Sequence, residues 1–358
     1  MMKQLVKYSA VRWQVLATTL LLSFLPVYAD TADWHTPVRF RCPAWVPKAS
    51  VDQSFKVMTY NVQFMAGGVY NFWDGADAVA PLNSEEQNRV AARVADIIKA
   101  EQPDIVFLQE VDRDQHSGQD QLEILLEQLQ DLYPCYGATS YSRVNHSLLL
   151  PEHKCPAEQN LVTLSRYQID DVARYSLPRI PPDHIKHLEY RRAILKVNIP
   201  LQNSRSLLAL NLHLDAFAQG TDTMQKQVHR IKTIFEDFTA NGHYWLAGGD
   251  FNLLPPGQFN TLPDIEKIWY QPKSELEQLT SRFNVIPSVA DATGMERRHW
   301  VTQKNFAGHE LYQTLDYIFY SSRLMLVKGR VWSEGNLDVS DHVPVIGEFR
   351  LNRLLRTP

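Results

Sequence analysis

The chain has 358 residues and a formal net charge of −4, with 36 lysines and arginines against 40 acids. Apolar residues make up 44% of it, enough for a large packed core, which excludes a disordered or collagen-like chain. No surplus of positive charge is present, which excludes tight binding of nucleic acid by bulk electrostatics alone.

Residues 1–29 read as a secretory signal. Lys3, Lys7 and Arg12 lead, Val15 to Leu25 forms a short apolar core, and Val27-Tyr28-Ala29 offers a small-residue cleavage site. That core is shorter than the roughly 20 residues a bilayer span needs. The chain is therefore expected to be secreted or periplasmic. Cleavage removes three positive charges and no acids, taking the net charge from −4 to −7.

Residues 30–53, with Trp34, Trp45, Pro37, Pro43 and Pro47, follow no period and are expected to pack as an N-terminal arm. A single domain is expected over 54–352, with a tail at 353–358. It opens on a strand at 55–62. An insertion from Gln63 to Asn83 follows, carrying Tyr70, Phe72 and Trp73. These rings either pack the insertion or touch a membrane surface.

Ser84, with Gln87 three residues on, is a capping-box start for a helix. Its apolar stripe is Val90, Val94, Ile97 and Ile98, and Pro103 stops it. A strand follows from Asp104 to Glu110. A second helix spans 119–131, with Leu122, Leu125, Leu126 and Leu129 on one face. Strands are expected at 160–165, 169–177, 191–199 and 206–213, then a helix at 222–239. A strand runs into Asp250, a loop-rich stretch continues to about 312, and strands at 315–320, 325–333 and 343–351 close the chain. No glycine-rich nucleotide turn follows a strand, so a Rossmann arrangement is not expected. So many consecutive strands point to two packed sheets.

Cys42, Cys135 and Cys155 lack the close spacing of a zinc site. In an oxidising compartment a Cys135–Cys155 disulfide is expected, stapling the stretch from Tyr141 to Pro151 and leaving Cys42 free or paired with another molecule. The connectivity stays open at this level.

Chemistry gathers where apolar strands meet solvent. Asn61, Glu110, His213, Asp250, Asp316 and the pair Asp341-His342 all stand at such ends. In a strand, positions i and i+2 share a face, which joins Asn211 to His213 and Asp250 to Asn252. Gly248 and Gly249 are expected to let the backbone turn and to admit a ligand. An acid that holds water beside an amide that bonds an anionic oxygen suits attack on a phosphate. Hard oxygen ligands suit Mg²⁺ or Mn²⁺ better than zinc.

The chain resembles the endonuclease/exonuclease/phosphatase superfamily in six segments. They are Thr59-Tyr60-Asn61, Leu108-Gln109-Glu110, Asn211-Leu212-His213-Leu214, Gly249-Asp250-Phe251-Asn252, Leu315-Asp316-Tyr317-Ile318 and Ser340-Asp341-His342. They stand in the family's order and span almost everything after residue 54. The set is specific to the superfamily and not to one substrate. The resemblance implies an α/β fold: a DNase I-like four-layer sandwich of two packed mixed β-sheets flanked by helices, with the site at one edge.

It also implies roles. Glu110 binds Mg²⁺ or Mn²⁺, Asn61 orients that ligand or touches the metal, and Asp341 lies near the metal. Asp250 and Asn252 position water and stabilise phosphoryl oxygens. His342 is the general base and Asp316 orients it. His213 bonds the phosphate or assists the leaving group. Asn211 supports the site and, with Asn160 and Arg191, reaches the phosphate. AP endonucleases carry a tyrosine in place of His213, so this chain is more similar to the DNase I, sphingomyelinase and phosphatase branches. DNase I supports that histidine with a glutamate; Gln159 stands here, and the partner of His213 is left open. His184 and His187 have no third ligand nearby in sequence and are expected in a solvated loop.

The activity implied is a secreted, divalent-metal-dependent phosphodiesterase on nucleic acid or phospholipid, acting as a monomer. The alternatives are a phosphomonoesterase on inositol or other soluble phosphates, and an inactive scaffold.

Overall fold

Central strands of this chain are apolar almost throughout, because both of their faces are covered. The Ser206–His213 strand is buried at every position but its first. The computed structural model describes residues 38–67, 84–114, 119–144, 158–181, 188–216, 218–304, 311–332 and 339–352. All lie within the unit Trp34–Pro358.

Strands β1 (Arg39–Arg41) and β2 (Phe55–Asn61) lead through helix α1 (Ser84–Glu101) to β3 (Ile105–Asp114). Then come β4 (Gln119–Asp120), α2 (Gln121–Leu129), β5 (Cys135–Val144), β6 (Glu158–Ser165) and β7 (Asp171–Ser176). Next are β8 (Leu188–Tyr190), β9 (Ala193–Pro200) and β10 (Ser206–His213), and α3 (Thr223–Ala240) joins β10 to β11 (Tyr244–Asp250). The loop-rich stretch holds α4 (Asp264–Lys267), α5 (Glu277–Thr280), β12 (Asn284–Ile286), α6 (Val289–Thr293), β13 (Gln303–Lys304) and β14 (Leu311–Gln313). Strands β15 (Asp316–Tyr320), β16 (Leu324–Val331) and β17 (Val345–Leu351) close the fold.

One sheet has nine strands, ordered β1-β5-β6-β3-β2-β17-β16, with β4 on β3 and β8 on β5. The other has six, ordered β12-β15-β11-β10-β9-β7. The two stack face to face over Val57, Phe107, Val197, Ala209, Leu246 and Phe349. Helices α1 and α2 cover the outer face of the first sheet with Val94, Ile98, Leu122 and Leu126 against Met58, Val106 and Leu108. Helix α3 covers the second with Val228, Ile231 and Phe235 against Leu210, Trp245 and Phe319. The four-layer expectation holds.

Two expectations fail. Strand β5 was not foreseen: the stretch from Tyr141 onward reads as a stapled loop, yet Cys135–Val144 sits between β1 and β6. Both faces of it are covered, and Thr139, Ser140 and Ser142 are buried with the rest, so no polar–apolar alternation marks it. The disulfide joins Cys42 to Cys135, not Cys135 to Cys155. Antiparallel pairing explains the choice: Arg41 lies opposite Tyr136, so Cys42, one residue further, comes beside Cys135, one residue back. Residues 1–29, Tyr70, Phe72, Trp73, Cys155, His184, His187 and the tail lie outside the described residues.

Candidate active site

Among the described residues, two strand pairs are parallel, β2 with β3 and β10 with β11. A parallel pair needs a crossover, supplied by α1 and α3, and the crossover returns both strand C-termini to the same edge. Asn61 comes level with Gln109, and His213 level with Asp250. Strand β15 runs antiparallel to β11, so Asp316 at its start lies opposite Asp250. Strand β17 runs antiparallel to β2, which places Asp341 and His342, just before it, at the same edge. The Ser340 hydroxyl donates to the Asn61 carbonyl at 2.8 Å and pins that approach.

Asp250 is the centre of the cluster. Its Oδ2 accepts from Asn61 Nδ2 at 3.1 Å and lies 3.4 Å from His213 Nε2 and 3.7 Å from His342 Nε2. Its Oδ1 accepts from the Asn252 backbone N–H at 2.8 Å. Asn61 Nδ2 also donates to Glu110 Oε1 at 3.0 Å, bridging two carboxylates. His342 Nδ1 lies 2.7 Å from Asp316 Oδ2. On the other side, Asn252 Nδ2 donates to the Leu214 carbonyl and lies 3.0 Å from His213 Nε2.

Backbone strain marks the same residues. Glu110 has φ +59° and Asn252 φ +50°, the left-handed region that costs an L-residue about 1–2 kcal/mol. Glu110 sits where the β3–β6 register shifts between Leu108 and Val111, a bulge that re-aims its side chain. Gln63, Phe64 and Met65 follow Asn61 with φ of +46°, +39° and +55°. Contacts hold this turn: Gln63 N–H donates to Asn61 Oδ1, Gln63 Oε1 accepts from Asp341 N–H at 3.2 Å, and Gln121 Nε2 donates to the Phe64 carbonyl. Strain kept by such over-determination is typical of functional sites.

Electrostatics follow from four acids in one pocket. Burial, then the charge of Asp341, pushes Glu110 up to about 7. Burial and the neighbouring Asp316 charge push Asp250 up to about 7, against the pull of His342. Asp341 is also raised, by burial first. Burial alone would lower His342, but Asp316, Asp341 and Asp250 outweigh it and hold the imidazole well above its ordinary 6.5. His213 goes the other way: burial, then the positive charges of Arg192 and His342, push it well below 6.5.

Glu110, His213, Asp250, Asn252, Asp316, Asp341 and His342 are thus brought together as expected. Asn61 joins them in the orienting role, with Nδ2 on Glu110 Oε1 and Oδ1 accepting from the Gln63 N–H. Three expectations change. Asn211 is fully buried between the sheets, with Nδ2 on the Leu108 and Val162 carbonyls and Oδ1 accepting from Gln109. Asn160 gives its amide hydrogens to the Val111 and Glu158 carbonyls beside the bulge. Arg192, not Arg191, packs near His213. It is buried, pairs with Asp215 at 3.1 Å and lies over the Tyr141 ring.

Gly248 and Gly249 serve packing rather than turning. A Cβ on Gly249 would lie 1.9 Å from the Leu212 carbonyl oxygen, and one on Gly248 2.6 Å from the Phe107 ring of the facing sheet.

Sequence reasoning missed Tyr141, whose hydroxyl lies 3.0 Å from His213 Nδ1 and takes the place sought for Gln159. It also missed Gln63 and Lys304. The Lys304 charge lowers Asp341 and its backbone N–H donates to the Asp341 carbonyl.

The family model described as "Endonuclease/Exonuclease/phosphatase family" matches residues 58–342. The chain belongs to the endonuclease/exonuclease/phosphatase family. Among solved structures, an endonuclease/exonuclease/phosphatase from Beutenbergia cavernae is similar at 19% identity and a TM-score of 0.58, over 84% of this chain and 72% of that one. A family protein from Bacteroides vulgatus is similar at 16% identity and a TM-score of 0.54, over 84% and 100%. The human Nocturnin catalytic domain with bound sulfate matches at 18% identity and a TM-score of 0.54, over 83% and 93%. No curated protein matches in sequence.

Family enzymes generally use a divalent metal, and the donor set here suits one. Glu110 and Asp341 are the acids open to solvent, at 17% and 30% side-chain exposure, whereas Asp250 and Asp316 are sealed at 2% and 1%. Mg²⁺ keeps several waters and binds through one or two carboxylates, which matches the open pair. Glu110 is raised by burial and then by the charge of Asp341, a pairing of acids that a cation would compensate. Asp250, Asp316 and His342 also place ligand atoms within 4.8 Å of one another. Those three side chains are almost wholly buried, so the open pair is the better seat for a hydrated ion.

Proposed function

We propose that the chain is a divalent-cation-dependent phosphodiesterase exported by the signal at 1–29. The carrying observation is Asp250 held between two imidazoles, His342 backed by Asp316 and His213 backed by Tyr141. A disulfide between Cys42 and Cys135 supports export, since such bonds persist in oxidising compartments.

Glu110 and Asp341 hold the cation, Mg²⁺ or Mn²⁺, which when bound neutralises phosphoryl charge and polarises the phosphoryl oxygen. Asp250, fixed by Asn61 and by the Asn252 N–H, positions the attacking water. His342 Nε2 takes its proton as general base, and Asp316 fixes the ring through Nδ1. Asn252 and His213 line the opposite side of the site.

The substrate class is a phosphodiester of nucleic acid or phospholipid, and the chain works as a monomer. The test is Mg²⁺-dependent turnover by residues 30–358 on supercoiled plasmid and sphingomyelin vesicles, with His342→Ala as control. Nicking lost in the control assigns a nuclease. Phosphocholine release assigns a lipid phosphodiesterase and gives Tyr70, Phe72 and Trp73 a membrane role. Turnover of soluble phosphomonoesters alone, or of nothing, overturns the reading.

A further inference from the structure

We propose that Tyr141 is a positioning residue that holds His213 in one neutral tautomer, protonated on Nδ1, and that Arg192 and Asp215 keep Tyr141 in place for it. The catalytic consequence rests on the phosphodiesterase reading; the tautomer is a property of the folded chain.

Counting hydrogens leads there. A carbonyl oxygen only accepts, so the Asn252 atom 3.0 Å from the Leu214 carbonyl is the amide nitrogen. Its second hydrogen points at His213 Nε2, also 3.0 Å away, so Nε2 accepts. The ring proton then sits on Nδ1, where the Tyr141 oxygen lies at 3.0 Å. Asp250 Oδ2 competes from 3.4 Å, since a carboxylate beside Nε2 favours a proton there. Tyr141 is what gives the Nδ1 proton an acceptor and lets Nε2 keep its lone pair.

The ring of Tyr141 is held from several sides. The residue is fully buried on β5, and its carbonyl accepts from the Arg191 N–H at 2.7 Å. The Arg192 guanidinium lies 5.0 Å from the ring centroid. Arg192 Nε donates to Asp215 Oδ1 at 3.1 Å, and Gln227 of α3 binds Asp215 through both its amide atoms, at 2.7 and 3.1 Å. A carboxylate behind an imidazole stabilises the cation; a phenol backed by an arginine does not. His213 therefore works as an acceptor that aims the Asn252 amide, and Tyr141 acts through it without touching the reacting atoms.

The test is imidazole ¹H–¹⁵N correlation spectroscopy on histidine-labelled protein, cation-free, for wild type, Tyr141→Phe and Arg192→Met, with thermal melts to check folding. Wild type is expected to show His213 protonated on Nδ1 only. Tyr141→Phe is expected to move the proton to Nε2 or to a mixture, and Arg192→Met to do so partially. On an active substrate, kcat of Tyr141→Phe falls about 10–100-fold with KM unchanged. A wild-type ring protonated on Nε2 overturns the proposal, and so does a folded Tyr141→Phe protein with the wild-type pattern. Should Tyr141→Phe not fold, the wild-type spectrum decides. Failure of every phosphodiester to turn over strikes the functional reading and leaves the spectrum to judge Tyr141.

Discussion

His342 Nδ1 and Asp316 Oδ2 lie 2.7 Å apart, and both side chains are almost wholly buried. The pair fixes which ring nitrogen faces Asp250. Asparagine at 316 removes the charge and can turn an N–H toward Nδ1, where only an acceptor suits the ring. Asp316→Asn is expected to lower kcat by about 10²–10⁴-fold with KM little changed. Steady-state kinetics beside a thermal melt checks this. A folded variant with wild-type kcat would remove the pair from the mechanism.

Crowded acids make the cation-free protein sensitive to alkali. Glu110 rises from 4.5 to about 7, so its contribution to stability is complete below 4.5 and lost as pH climbs through about 7. Asp250 acts in the same sense between 3.8 and about 7. His342, raised above 6.5, contributes fully below 6.5 and loses that contribution at higher pH. His213 is depressed, so its contribution is already complete above 6.5 and does not oppose the trend there. In EDTA the melting temperature is expected to fall from about pH 6.5 to 8, and Mg²⁺ to restore it by binding the native state. Glu110→Gln should flatten the fall and blunt the Mg²⁺ response. Calorimetry across that range checks both, and a melting temperature that rises with pH would contradict the charge balance.

The Cys42–Cys135 bond closes a loop with a sequence separation of 93 and ties the edge strand β1 to the strand that carries Tyr141. Its removal by Cys42→Ser is expected to cost about 2–5 kcal/mol, read from denaturant unfolding. Non-reduced peptide mapping should link residues 42 and 135 and leave Cys155 as the thiol. A 135–155 peptide would overturn the pairing.

Much of the site was legible because its acids and histidines interrupt apolar strands at their ends, and two parallel pairs with helical crossovers must bring such ends together. The rest depends on contacts between sheets, which a local pattern does not carry. Arg191 and Arg192 are neighbours with opposite facings, and only the way β9 packs decides that Arg192 reaches Tyr141. Tyr141 lies near a register shift in β5, between Ser140 and Ser142, which breaks the alternation that would have placed it. The Asn-x-His pattern correctly marked His213, yet it made Asn211 look like a phosphate ligand. Both side chains belong to the inner face of β10; one reaches the edge and the other stops between the sheets.

That difference is open to test at Asn211. Its amide satisfies the carbonyls of Leu108 on β3 and Val162 on β6, and its oxygen accepts from Gln109 at 2.7 Å. One side chain on the second sheet therefore ties down two strands of the first. Asn211→Ala leaves buried polar groups without partners, each costing about 1–3 kcal/mol. The expected result is a loss of about 3 kcal/mol or more in unfolding free energy, with KM close to wild type in whatever remains folded. Denaturant titration paired with kinetics separates the two roles. A phosphate ligand would give the reverse pattern, a raised KM at unchanged stability, because substrate contacts contribute nothing to the free protein.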